Sequence, residues 1–189
     1  KHNIKFIGPS PEIIKKMGDK IEAKKIAKKY GLPVIEGSDG NINSLDEAEK
    51  ICSRIEYPIL IKAAGGGGGR GLRVVHNKDD LADLFAIARQ EGENAFGNGT
   101  LYVEKYLERA RHIEFQIVAD QHRNVIHLGE RECSIQRRYQ KVIEEAPSTV
   151  LTVELREEMG RAAIKVAKSC RYVGAGTVEF LYDQGAFYF

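Results

Sequence analysis

The sequence has no apolar run long enough to cross a membrane: stretches such as Ile59 to Ile61 and Gly174 to Val178 are a few residues long, where about 20 are needed. It has little net charge, because 29 Lys and Arg stand against 27 Asp and Glu to leave +2. That balance excludes a general attraction for nucleic acid or anionic membrane, so any anion site has to be local. The three cysteines, Cys52, Cys133 and Cys170, are an odd number without a C-x-x-C spacing. They suggest neither a disulfide framework nor a zinc site, and favour a reducing compartment. There is no initiator Met and no charged-then-apolar leader, so the chain is expected to be an excised segment whose targeting signal, if any, is out of view. No internal repeat is found, and no low-complexity tract apart from Gly65 to Gly69.

What remains is an ordinary globular composition, 42% hydrophobic and 30% charged, which excludes disorder and collagen-like repeats. A length of 189 residues suits one domain or two lobes of one enzyme. Lys5 to Ile7 reads as a short strand, and Ser10 with Pro11 as the start of a short helix. Asp19 is an N-cap candidate for a helix through Tyr30 that stops at Gly31-Leu-Pro33, with the lysines at 24, 25, 28 and 29 on its solvated face. Ser44 and Glu47 form a capping-box pattern for a helix to about Ile55, and Pro58 opens the strand Ile59 to Lys62. The periodicity further predicts a strand at Leu72 to His76, a helix from about Asp79 to Gln90, and strands near Leu101 to Tyr106, His112 to Ala119 and Val125 to Glu130. A basic loop, a strand around Lys141 to Glu144, a long helix capped by Thr152 and running to about Cys170, and a hairpin of Thr177 to Tyr182 with Ala186 to Phe189 complete the reading. Strands joined through tight turns are antiparallel, so the expected class is α+β in two lobes and not a doubly wound parallel sheet. The boundaries expected are a helical linker over 1–34, a glycine-loop lobe over 35–106 and a C-terminal lobe from 107 to 189.

The sharpest feature is Lys62-Ala-Ala-Gly-Gly-Gly-Gly-Gly-Arg-Gly71. Consecutive glycines let the backbone approach a ligand closely and aim several N–H groups at one anion, for which phosphate is the natural choice. Gly66, Gly68 and Gly71 satisfy G-x-G-x-x-G, but a Rossmann turn opens a helix, whereas Leu72 to His76 reads as a strand. A Walker A loop fails because no Gly-Lys-Ser/Thr follows. Strand, glycine loop, strand is the arrangement with which kinases cover ATP phosphates, with Lys62 as a fixed positive charge. The alternative is a flexible hairpin tip with a surface lysine.

Phe6-Ile-Gly-Pro9, Met17-Gly-Asp-Lys20, Ile61 to Gly71, Glu104-Lys-Tyr-Leu107, Arg111-His-Ile-Glu114, Glu130 to Arg138, Gln140-Lys141, Glu144-Glu-Ala-Pro147 and Gly176-Thr-Val-Glu-Phe180 together resemble the biotin carboxylases of the ATP-grasp superfamily, in family order and over essentially the whole chain. The resemblance implies an ATP-grasp fold with its C-terminal lobe incomplete. It implies that Lys20 and Lys62 contact nucleotide phosphates, that Gly67, Gly68 and Gly69 close over them, and that Glu104, Lys105 and Leu107 bind adenine, the latter two through main-chain groups. His112 and Gln136 would lie against the nucleotide. Tyr139 stands where the family has a small polar residue or histidine near the ribose, and is carried over only weakly. Lys141 would hold bicarbonate, and Glu179 would bind magnesium or manganese. Arg109-Ala110 replaces a common Asn-Pro before Arg111, which loosens the hinge turn without touching the chemistry.

The reaction implied activates bicarbonate with the γ-phosphate of ATP to carboxyphosphate, then carboxylates a ureido nitrogen of biotin on a carboxyl carrier. A carboxyltransferase component, a homodimer when intact and a cytoplasmic location (mitochondrial matrix for an organellar parent) are the implied setting. In full-length relatives a second metal carboxylate, an asparagine and a catalytic arginine follow an aromatic strand like Phe187-Tyr-Phe189, so the fragment is expected not to turn over by itself. Two other readings stand beside this one: another ATP-grasp ligase, of carbamoyl-phosphate or carboxylate–amine type, and a non-catalytic nucleotide-binding module.

Overall fold

The computed structural model describes residues 4, 6–64 and 71–189. In chain order the elements are α1 (Pro11–Gly18), α2 (Lys20–Lys29), α3 (Leu45–Ile55), β1 (Ile59–Ala63), β2 (Leu72–Val75), α4 (Leu81–Phe96), β3 (Leu101–Lys105), β4 (Arg111–Ala119), β5 (Val125–Arg137), β6 (Gln140–Glu145), α5 (Val153–Ser169), β7 (Gly174–Asp183) and β8 (Ala186–Tyr188). The architecture is α+β with two antiparallel sheets, one ordered β2-β1-β3 and the other β6-β5-β4-β7-β8. Two compact units emerge, one of Lys1–Val34, Arg111–Ile135 and Val142–Phe189, the other of Ile35–Ala110 with Gln136–Lys141.

In the first unit, the alternation of β4 sends Ile113, Phe115, Ile117 and Ala119 into a core with Met159, Ala163 and Val166 of α5 and Val178 and Phe180 of β7. Helix α5 starts where Thr152 accepts from the Leu155 N–H at 3.2 Å, and it carries Gly160 against the His127 ring. A Cβ there would come within 2.4 Å of Nε2, so the glycine sets how closely helix and sheet approach. On α1 and α2, Ser10 and Asp19 cap as their sequence positions predict, Asp19 accepting from Ile21 and Glu22.

In the second unit, Ile59, Ile61 and Ala63 of β1 face a core of Ala48 and Cys52 of α3, Leu81, Phe85 and Ala88 of α4, and Leu101 and Val103 of β3. Ser44 caps α3 by accepting from the Glu47 N–H at 3.3 Å, while the Glu47 carboxylate reaches back to the Asn43 N–H at 2.9 Å, one residue earlier than the capping box predicts.

Three expectations need correction. Phe6 and Ile7 form no strand; both are exposed, and Ile7-Gly8 makes a bend. Helix α4 runs on to Phe96 instead of ending at Gln90, because Gly92 does not break it. That glycine lies where a Cβ would press on Ala63 of β1 at 3.2 Å and the Asn98 carbonyl at 2.9 Å, and Gly97, at φ +65°, supplies the left-handed stop. Strand β5 continues past Glu130 to Arg137, and the supposed basic loop is a hairpin turn between β5 and β6.

The reason β5 is hidden in sequence is that its core side carries two acids, Glu130 and Glu132, both buried. Glu130 accepts from Arg156 Nε at 2.7 Å and from the Ser148 N–H at 3.1 Å. Glu132 accepts from Arg111 Nη1 at 2.6 Å, Ser148 Oγ at 2.7 Å and Ser134 Oγ at 3.1 Å. Burial alone would push the Glu132 carboxyl up, but the hydrogen bonds from Arg111, Ser148 and Ser134 outweigh it and hold the group below its ordinary value. A depressed folded pKa contributes stability that is fully present above the unfolded value of about 4.3 and is lost as pH falls through the folded value. Replacing Glu132→Gln is expected to cost roughly 1–3 kcal/mol at neutral pH, with Arg111 half-exposed, and to flatten the acid limb of a stability-versus-pH curve below about pH 4.5. Urea melts from pH 3 to 7 on both proteins check it. An unchanged acid limb in the variant would remove Glu132 as its source.

Candidate nucleotide site

Among the described residues of the second unit, Lys62 and Glu104 are brought together by strand register. Leu60 of β1 lies opposite Glu104 of β3 and Lys62 opposite Tyr102, so Lys62 and Glu104 are diagonal neighbours on one face of the sheet. The Lys62 ammonium is hydrogen-bonded to the Glu104 carboxylate and lies 5.7 Å from the centre of the Tyr102 ring. Only 18% of the Lys62 side chain and 9% of the Glu104 side chain are exposed, so this charge pair is largely out of water. The ends of the glycine loop are in place: the Ala63 N–H donates to the Gly71 carbonyl at 2.9 Å, and Lys62 pairs with Leu72. Gly67, Gly68 and Gly69 lie outside the described residues.

Glu104 is fixed from its other side by Gly37, which bridges it outside the named strands. A Cβ on Gly37 would lie 2.3 Å from the Val103 carbonyl oxygen and 2.8 Å from Glu104 Cα. The Lys105 backbone N–H donates to the Glu36 carbonyl at 2.8 Å, and its ammonium donates to the carbonyls of Glu56 and Tyr57 at 3.3 and 3.1 Å. The Lys105 side chain therefore clamps the turn before β1 instead of projecting as a free cation. Leu107 is half-buried just beyond β3. Gln136 and Lys141, both half-buried, stand on β5 and β6 either side of the hairpin turn, and Tyr139 is exposed in it.

In the first unit, Lys20 opens α2 and is exposed, and His112 is half-buried on β4, its N–H donating to Ser134 Oγ at 3.1 Å. Glu179 is exposed on β7 directly opposite Glu114 of β4, while its neighbours Val178 and Phe180 are buried. His112, Glu114 and Gln116 share the sheet face with Glu179, because directly opposed residues point the same way. Two members of that face had no role assigned from sequence: Glu114, which is buried, and Arg131, whose Nε donates to Glu114 at 2.7 Å and whose Nη1 and Nη2 each reach Gln116 Oε1 at 3.2 Å. Period-two alternation from His112 would have found Glu114; its pairing with Arg131 depends on the bulged register between β4 and β5.

A hard divalent cation takes carboxylate oxygens and completes its shell with phosphate oxygens and water, and Glu179 presents one exposed carboxylate of that kind on this face. Donor atoms of Glu114, Cys133 and Glu144 also converge within 4.8 Å, but Arg131 already sits between Glu114 and Glu144 and a thiol is a poor ligand for such an ion. Burial pushes the Cys52 and Cys170 thiols up, which keeps them protonated and unsuited to metal binding.

The model of the carbamoyl-phosphate synthase L chain, ATP binding domain, matches residues 19–189. The chain belongs to that family. The biotin carboxylase of a Nostoc species is 54% identical over 189 residues, 100% of this chain and 42% of that protein. The crystal structure of a biotin carboxylase β-γ-ATP complex from Campylobacter jejuni superposes with a TM-score of 0.95 at 51% identity, covering 99% of this chain and 42% of that one. The biotin carboxylase domain dimer of Hydrogenobacter thermophilus 2-oxoglutarate carboxylase, in complex with MgADP, ADP and bicarbonate, gives 0.93 at 49% identity, over 98% of this chain and 41% of that one. The fold is thus the ATP-grasp fold of the biotin carboxylases, and the chain spans about two-fifths of the length of these relatives. No helix among the described residues is long and apolar enough to cross a membrane, and curated relatives include chloroplastic and mitochondrial proteins.

Gly37→Ala is expected to cost roughly 1–3 kcal/mol, because the atoms it meets are backbone and cannot swing away. In a melting experiment that is a drop of about 2–4 °C per kcal/mol for a chain of this size. Gly40→Ala, which meets nothing within 4 Å, is expected to stay within about 0.5 kcal/mol of the parent. Equal melting points for the two variants would show that β3 can yield at Glu104.

Proposed function

We propose that this chain is the nucleotide-binding part of a biotin carboxylase, which uses ATP and bicarbonate to carboxylate biotin on a carrier protein or domain. The observation that carries the reading is the largely buried Lys62–Glu104 pair, joining β1, which leads into the glycine loop, to its neighbour β3. It is supported by the 51% identity, over nearly the whole chain, to a biotin carboxylase crystallised as a β-γ-ATP complex. Lys62 and Lys20 would offset phosphate charge while Gly67 to Gly69 cover it. Glu104 and main-chain groups of Lys105 and Leu107 would read the adenine, with His112, Gln136 and Tyr139 against the nucleoside.

In the reaction, a bicarbonate oxygen held by Lys141 attacks the γ-phosphorus, ADP leaves, and carboxyphosphate forms. Transfer of its carboxyl carbon to a ureido nitrogen of biotin releases phosphate. A magnesium or manganese ion at Glu179 would offset charge on the phosphate oxygens when bound; the protein's own work is positioning and electrostatics. A carboxyltransferase component, a homodimer and a cytoplasmic or organellar-matrix location belong to the same reading. The family also takes its name from carbamoyl-phosphate synthase, and stimulation of bicarbonate-dependent ATP hydrolysis by biotin in the full-length protein separates the two activities.

Titration calorimetry with ATP and magnesium tests the site itself. Lys62→Ala is expected to weaken binding roughly 10- to 100-fold, the value of a charge-assisted hydrogen bond to phosphate in a sheltered position, and Glu179→Gln to reduce the dependence on magnesium. ATP affinity unaltered by Lys62→Ala would overturn the phosphate assignment.

A further inference from the structure

The two halves of the Lys62–Glu104 pair depend on each other because little water reaches either of them. With 18% of one side chain and 9% of the other exposed, parting the pair deprives each charge of the group bonded to it in a place where solvent compensates poorly. The backbone under Glu104 is held from both sides, by β1 through the Leu60 pairing and by Gly37. The next two N–H groups, of Lys105 and Tyr106, donate to the carbonyls of Glu36 at 2.8 Å and Pro58 at 3.1 Å. Lys62 has the Tyr102 ring beside it, 5.7 Å from the ammonium and opposite it in register. A ligand that takes Lys62 therefore takes it from a carboxylate that is anchored in place.

The consequence depends on what else the ligand brings. A bare phosphate offers oxygens to Lys62 but sets a second anion beside Glu104. A nucleoside offers a hydrogen-bond donor to Glu104 but nothing to balance the ammonium. An adenine nucleotide makes both exchanges at once, phosphate oxygens for Lys62 and the exocyclic amino group for Glu104. Guanine carries a carbonyl acceptor at that ring position, which a carboxylate repels. Rejection by a polar group left badly matched discriminates more sharply than a change of apolar fit.

We propose that the Lys62–Glu104 pair is an interlock that determines specificity: it yields to a ligand carrying an anion and a hydrogen-bond donor together, and excludes bare phosphates, nucleosides and guanine nucleotides. The inference rests on the nucleotide reading of this site. It adds that Glu104 selects by holding Lys62 as well as by meeting the base, so that phosphate and base binding are coupled through one ion pair.

Titration calorimetry with magnesium compares ADP, GDP and inorganic pyrophosphate on the chain, on Glu104→Gln and on Lys62→Ala. Glutamine keeps an acceptor for Lys62 without the charge. In Glu104→Gln, pyrophosphate is expected to bind roughly tenfold or more tightly than in the parent, the value of one charge-assisted hydrogen bond no longer to be broken. ADP gains less, because its amino group loses a charged acceptor, so the preference for ADP over pyrophosphate shrinks and that for ADP over GDP narrows with it. Glu104→Asp, which keeps the charge but shortens its reach, is expected to shift the pyrophosphate preference in the same direction by less, and it carries the test if Glu104→Gln does not fold. Pyrophosphate affinity that is unchanged or weaker in the folded Glu104 variants overturns the interlock, and a preference for ADP over GDP that persists in full overturns the base selection. If Lys62→Ala weakens ADP and pyrophosphate while the Glu104 variants leave their ratio unchanged, the interlock alone is overturned. ADP and pyrophosphate both indifferent to Lys62→Ala would overturn the nucleotide reading and the interlock with it.

Discussion

Two carboxylates on the core side of β5, Glu130 and Glu132, have to be satisfied before the five-stranded sheet can close on α5. An unpaired buried carboxylate costs several kcal/mol, more than one apolar side chain returns. Ser148 answers both acids at once, its N–H to Glu130 and its hydroxyl to Glu132, and Arg156, from the first turn of α5, completes Glu130. The connection from β6 to α5 is therefore tied to the strand by polar bonds as well as by chain continuity. That tie lets β5 run on as far as Arg137, and Gln136, the turn and Lys141 follow from it along the chain.

The same feature explains what could and could not be read in advance. Helix starts were legible because a cap is a local interaction: Ser10, Asp19, Ser44 and Thr152 each satisfy N–H groups two or three residues on. The rejection of a Rossmann turn was legible because the β-branched pair Val74-Val75 after the glycines favours a strand. The second half of β5 was not, since an inward-facing acid paired with a distant arginine looks in sequence like a solvent-facing one. The length of α4 was missed for a related reason, a glycine that weakens a helix in isolation being retained for its fit against β1.

For the candidate site, motifs single residues out one by one, but their adjacency was not legible. Lys62 stood out beside its glycines and Glu104 within its motif, but they are 42 residues apart and meet only through the antiparallel register of β1 and β3. Glu114 and Arg131 show the converse. They form a central charge pair on the face that carries Glu179, yet nothing in a single strand's pattern says which acid an arginine will find when a bulge shifts the register between β4 and β5.

The distribution of charge follows a single logic. Arg131 pairs with Glu114, and the carboxylate of Glu179 opposite it is exposed; on the proposed reading, Glu179 is the acid a divalent cation would meet on that face. In the other unit, Lys62 is too sheltered to go without a counter-charge, and Glu104 supplies it. On the proposed reading, a phosphate arriving at Lys62 exchanges one anion for another instead of stripping water from a bare ammonium, and the desolvation cost of that lysine has been met by folding. Phosphate then has only to compete with a carboxylate held in place by Gly37 and the β1–β3 ladder. Nucleotide affinity becomes a difference between two charge-assisted pairs, which sets it lower, and makes it easier to reverse after turnover, than a lysine waiting unpaired would allow.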